Sequence, residues 1–308
     1  MKEPQGLTVL EGIWCHGEWM GDEEGNIQGE CIPFTQMRDG EFYRKQGVYE
    51  KMGLPVELRQ PEKERWPELS PCQAATRAFA WEARRAVEKN HAFLAVGSYC
   101  NMAPAILGGV QQAVGTEKEI GLVWMDAHGD NHILEGSGRQ WIRLVSTPLS
   151  MIAGQTMEKL RKEICLLEKP CRGENILAGD VRILGEESGW NLCRAGIRRL
   201  DSSDFGREEV WRREVEQLAG RVDVIYLAID ADILKTEAIP AYIKAVPYGQ
   251  EVETVARNAG IVMDTGKVAA VSLFCFDFDR YDQGGEQTYA SGAAILGECL
   301  SRWQYCGR

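Results

Sequence analysis

The fold this sequence predicts is a three-layer α/β/α domain with a mostly parallel sheet. Three observations predict it. Short apolar runs alternate with helix-period segments from end to end, the pattern of helices crossing over a parallel sheet. No Pro/Gly/Ser-rich linker interrupts them, so residues 1–308 are read as a single α/β domain. Two of the runs end abruptly in acidic clusters, and in parallel α/β sheets ligands collect at the carboxyl ends of strands.

The elements follow in order. Residues 7–10 form the first candidate strand. An aromatic-rich loop follows, holding Trp14, Cys15, His16 and Trp19. Residues 55–71 are polar and punctuated by prolines, which predicts a surface connection. Residues 74–90 read as a helix, because Phe79, Ala83, Ala86 and Val87 share a face and Asn90 is a suitable stop. The continuous apolar run 92–96 predicts a buried strand, and a helix begins near Ala103. Further strands are expected at 121–125, 192–197, 222–229 and 269–276, with helices at 207–218, 252–259 and 289–303.

The 308 residues, 44% hydrophobic and 26% charged, are enough for a large core. A formal net charge of −11 argues against nucleic acid and anionic membranes as partners and suits a small cationic substrate. None of the ten cysteines forms a CxxC pair, which argues against a structural zinc site. With a polar N-terminus and no apolar run of membrane length, the expectation is a cytoplasmic protein with reduced thiols.

The chemistry concentrates at two places. The run Gly121–Met125 ends in Asp126-Ala127-His128-Gly129-Asp130, and the run ending at Ile229 is followed by Asp230-Ala231-Asp232. Alternate residues of an extended chain point the same way, so each cluster converges on one side of its strand end. A packed core has no use for four carboxylates and an imidazole. Divalent cations do, and this donor set suits Mn²⁺ or Zn²⁺ better than Ca²⁺. Five such ligands fill most of a two-metal site with shared carboxylates.

Strand-Asp-Ala-His-Gly-Asp followed by strand-Asp-x-Asp resembles the arginase/agmatinase, or ureohydrolase, family. Gly97-Ser98-Tyr99-Cys100 stands where that family has a strand ending in Gly-Gly-Asp-His, and Ala195-Gly196-Ile197-Arg198 looks like its Gly-(Ile/Leu)-Arg strand end. The resemblance covers roughly residues 90–300. It implies an arginase/deacetylase-like fold, a binuclear manganese centre, hydrolysis of a linear C–N bond in a guanidino or amidino substrate, and a homo-oligomer. It further implies that Asp126 and Asp230 bridge two metal ions. Asp130 and residue 100 would complete the first site, and His128 and Asp232 the second.

The chain departs from that pattern at several positions. Cys100 replaces a histidine ligand. As a ligand its thiolate favours Zn²⁺ or Fe²⁺ over Mn²⁺; otherwise it is a small buried hydrophobe beside the site. Val145 stands where arginases carry a proton-shuttling histidine, and Phe276 where they carry the guanidinium-binding glutamate. Arginine itself is therefore not the expected substrate. His132, two residues past Asp130, can serve as general acid, substrate contact, substitute ligand or plain surface histidine. Asp277 and Asp279 can clamp a cationic or amino end of a substrate or belong to a solvated acidic loop. Two rival functions keep the same fold: a mononuclear metal amidohydrolase, and a non-catalytic binding or regulatory protein of the family.

Overall fold

The computed structural model describes residues 3–14, 19–33, 42–242, 245–276 and 285–304. Its centre is an eight-stranded sheet: β1 (Gly6–Glu11), β2 (Val56–Arg59), β3 (His91–Ser98), β4 (Ile120–Met125), β5 (Ile176–Gly179), β6 (Arg198–Leu200), β7 (Val224–Asp230) and β8 (Val268–Phe274). They lie in the order β6-β5-β4-β7-β8-β3-β1-β2, and every neighbouring pair is parallel. Parallel strands need crossovers, and helices on both faces provide them. The main ones are α1 (Pro71–Glu88), α2 (Ala103–Val114), α3 (Glu186–Ala195), α4 (Glu208–Arg221), α5 (Val252–Met263) and α6 (Gly285–Ser301). Strands β4, β7 and β8 are buried at every residue, which is why they read as unbroken apolar runs rather than alternating ones.

Local sequence explains the best-defined helix. Ser70 caps α1: its hydroxyl accepts from the Gln73 amide at 3.3 Å, the Gln73 side chain accepts from the Ser70 amide at 3.0 Å, and Pro71 opens the first turn. The helix thus begins three residues before the expected 74. α2 lies tight against α1, because a Cβ at Gly109 would overlap the Ala80 carbonyl.

Two expectations fail. Residues 55–71 are not only a connection, because they contain edge strand β2, paired with β1 from Leu7↔Val56 to Leu10↔Arg59. An edge strand is only half covered, so Glu57 and Arg59 alternate with Val56 and Leu58 and the apolar run disappears. The strand expected at 192–197 is instead the end of α3, with Leu192 buried on its face. Gly196, at φ 75°, stops the helix in the left-handed conformation, and β6 starts only at Arg198. The segment 195–198 is thus a helix-to-strand turn, not a strand end. Strand β5, four buried residues between loops, had no sequence reading at all.

Candidate metal centre

Four adjacent strands deliver the site. In the order β4-β7-β8-β3 their carboxyl ends lie side by side, and the register keeps them level: Met125 pairs with Ile229, Asp230 with Phe274, and Phe274 with Ser98. The next residues along, Asp126, Cys275 and Tyr99-Cys100, therefore emerge on one rim together with Asp230. A cavity of about 230 Å³ opens there, lined by Cys100, His128, Asp130, Asp230, Asp232 and Cys275, with Tyr99, Tyr242, Arg143, Val145 and Ser146 on its walls.

The acidic clusters are wired to each other. His128 Nδ1 lies 2.8 Å from Asp232 Oδ2 and 3.7 Å from Asp126 Oδ1. The His128 amide donates to Asp126 Oδ1 at 2.6 Å, the Ala127 amide to Asp232 Oδ1 at 3.1 Å, and the Asp232 amide to Asp230 Oδ1 at 3.1 Å. Arg182 donates to the Asp232 carbonyl at 2.7 Å, steadying the second cluster from behind. Asp130 takes a left-handed backbone, φ 40°, and its Oδ2 accepts from the Cys100 thiol at 3.3 Å. Strain of this kind concentrates at functional positions. Cys100 also meets the Val145 carbonyl at 3.5 Å.

Whether these residues fit a metal can be judged from their own chemistry. Ligand atoms of Asp126, His128 and Asp232 all lie within 4.8 Å of one another. Asp126 Oδ2 is fully buried and has no hydrogen-bond partner among the described residues. Such an oxygen is costly unless something positive meets it. Burial, then the Asp232 charge, pushes the Asp126 carboxyl well above the usual range, and the same two causes act on Asp230. Burial lifts Asp130 to about 7. Burial opposes protonation of His128, but its hydrogen bonds to Asp126 and Asp232 outweigh it and raise the ring to about 12. Acids crowded until they resist ionising, with a histidine drawn in as a stand-in cation, are what a divalent ion would relieve. The donor set fits.

Not every candidate joins the cavity. His132 is half-buried. Its amide donates to the Ser146 carbonyl at 2.9 Å and its carbonyl accepts from the Ser150 hydroxyl at 2.6 Å, but it is not among the lining residues. Asp277 and Asp279 lie outside the described residues. Phe276 is buried, and the lining residue of that strand end is Cys275, at φ 64°. Burial holds its thiol well above the usual thiol range, and the Asp230 charge adds to this. Sequence reasoning passed over Cys275, Tyr242 and Arg143. The strand-end rule that singled out Asp126 and Asp230 reaches Cys275 as well, once β8 is seen to stop at Phe274.

The Arginase family profile matches residues 44–301. A formimidoylglutamase from Chromobacterium violaceum is 28% identical over 214 residues, 65% of this chain and 62% of that protein. An arginase from Staphylococcus aureus is 32% identical over 146 residues, 44% of this chain and 47% of that one. This chain thus matches less than two thirds of either relative's length. Among solved structures, the arginase from Bacillus caldovelox superposes with a TM-score of 0.73 at 17% identity, covering 96% of this chain and 98% of that one, a likeness of fold.

Proposed function

Because this chain belongs to the arginase family, we propose that it is a metal-dependent hydrolase of a linear C–N bond in a small amidino, guanidino or formimidoyl substrate. One observation carries this reading: the two acidic strand ends meet at a single cavity lined by His128, Asp130, Asp230 and Asp232, and Asp126, whose Oδ2 is buried with no hydrogen-bond partner among the described residues, groups with His128 and Asp232 beside it. The rival of a non-catalytic relative loses ground because every carboxylate and imidazole of both clusters is retained at the site.

Asp126, His128, Asp130, Asp230 and Asp232 are the residues we assign to hold two divalent ions, with Cys100 beside Asp130 as the sixth ligand. Mn²⁺ follows from the family, and Zn²⁺ or Fe²⁺ from the thiol. When bound, the ions supply Lewis acidity and water activation. The chain does the rest. The walls formed by Tyr99, Tyr242 and Val145 confine the amidino carbon over the carboxylates. Water adds to that carbon, the C–N bond breaks, and the departing amine takes up a proton. Val145 lines the cavity and has no proton to give, so we assign that delivery to His132, through one intervening water. Arg143 puts a positive charge on the wall and suits a carboxylate-bearing substrate, in line with the formimidoylglutamase relative. Asp277 and Asp279 are proposed for the amino end of the substrate.

No helix among the described residues is long and apolar enough to cross a membrane. A homo-oligomer in the cytoplasm completes the proposal, and sedimentation would measure the assembly.

The test is metal analysis of the purified chain, followed by assay of the metal-loaded protein against guanidino and formimidoyl amino acids, reading urea, formamide and ammonia. Two ions per chain and turnover of a carboxylate-bearing amidine are expected, with little on arginine. One zinc per chain with amide hydrolysis would favour the mononuclear rival. A chain that holds no metal at saturating concentration would overturn both.

A further inference from the structure

We propose that Cys31 and Cys72 form a thiol–disulfide exchange site, in which a low-molecular-weight disulfide converts the two thiols into an intramolecular bond. They are 41 positions apart in sequence, yet their sulfurs lie 3.7 Å from each other. The partners are unlike. Cys31 is partly exposed, so a small reagent can reach it. Cys72 is buried as the second residue of α1, and its thiol donates to the Gly29 carbonyl at 3.2 Å. An accessible sulfur with a buried partner in contact is the arrangement of an attacking and a resolving cysteine.

Charge adds to the geometry. The contact with Cys72 holds the Cys31 thiol below its ordinary value against the effect of burial, and Lys63 lowers it further. Three other buried thiols behave oppositely: burial pushes Cys165, Cys171 and Cys299 up to about 12. The other adjacent pair, Cys100 and Cys275, belongs to the candidate metal centre. Neither Cys31 nor Cys72 lines that cavity.

The exchange balances. The Cys31 thiolate attacks one sulfur of the external disulfide, forms a mixed disulfide and expels one thiolate. The Cys72 sulfur, after losing its proton, attacks the Cys31 sulfur and expels the second. Each released thiolate takes a proton, so two protein thiols are oxidised and one disulfide is reduced to two thiols. The bond would tie the Met20–Pro33 region to the start of α1. Within that region the strand Met20–Gly21 pairs with Ile142–Arg143, next to the cavity wall.

The experiment treats the metal-loaded full chain with oxidised glutathione, quenches in acid, alkylates and maps peptides by mass. A peptide pair joined through Cys31 and Cys72 is expected, two hydrogen masses lighter than its thiol form and fully reversed by dithiothreitol. Cys31 should react about tenfold faster than the exposed Cys193. Cys72→Ser should stop at glutathione on Cys31, and Cys31→Ser should leave Cys72 unmodified. Cys31 reacting no faster than Cys193, pairing with another cysteine, or keeping glutathione in the unmodified chain would each overturn the proposal. The mapping of the unmodified chain decides the matter even where a variant fails to fold, and it is independent of hydrolase activity.

Discussion

A thiol at position 100 makes the candidate centre softer than one built from carboxylates and imidazole alone. Its sulfur lies 3.3 Å from Asp130, close enough for the two to share an ion. Cys100→His should therefore raise Mn²⁺ affinity relative to Zn²⁺, by roughly tenfold, in competitive metal titrations. An unchanged ratio would leave Cys100 as a packing residue. His132 makes a different prediction. Its backbone is pinned by Ser146 and Ser150, and its ring is off the cavity wall. His132→Asn should keep fold and metal content and cost about 10²-fold in turnover, the low end for a lost acid–base group because the ring stands off the cavity. Full turnover would move proton delivery elsewhere, and loss of metal would make His132 a ligand.

Among the elements, α1 and α2 show how closely this fold is fitted. Gly109 lets the two helices meet where any side chain would strike the Ala80 carbonyl. Gly109→Ala removes a helix-weakening glycine, worth about 1 kcal/mol on its own. Overpacking against backbone should outweigh that gain and give a net loss of about 1–3 kcal/mol in urea denaturation. The direction matters most, since an exposed helical glycine would show the opposite sign. The strand ends follow a related logic. β4, β7, β8 and β3 are level neighbours, so a one-residue slip in any of them would turn its rim residue away.

For the whole molecule, the buried carboxylates link metal, pH and stability. In the metal-free protein the folded-state value of Asp130 is raised from 3.8 to about 7, so the folded chain holds its proton more tightly than the unfolded one. Stability from this source is full below pH 3.8 and is lost as pH rises through about 7. Asp126 and Asp230 act in the same direction, and His128, raised to about 12, extends the fall to higher pH. Chemical denaturation in EDTA should thus show stability declining from pH 4 to 7, and saturating Mn²⁺ or Zn²⁺ should flatten that decline. At a hundredfold excess over Kd the ion should add about 2.7 kcal/mol. A metal-free chain equally stable at both ends of the range would count against buried, crowded acids.

Periodicity and residue chemistry by themselves determined the α/β class, strands β1, β3, β4, β7 and β8, and the five acidic and imidazole positions proposed for the site. Fully buried strands must be continuously apolar, and carboxylates at their ends have no packing role, so both leave marks in a single chain. The half-covered edge strand β2 leaves no such mark, because its pattern resembles a loop. The end of α3 and the start of β6 adjoin within a few residues, and only the left-handed turn at Gly196 separates them. Tertiary structure alone decided that Cys275 and Arg143 face the cavity, that His132 stands off it, and that Cys31 meets Cys72. These facts depend on strand order and on where each strand stops, and those are set by long-range pairing rather than by local sequence.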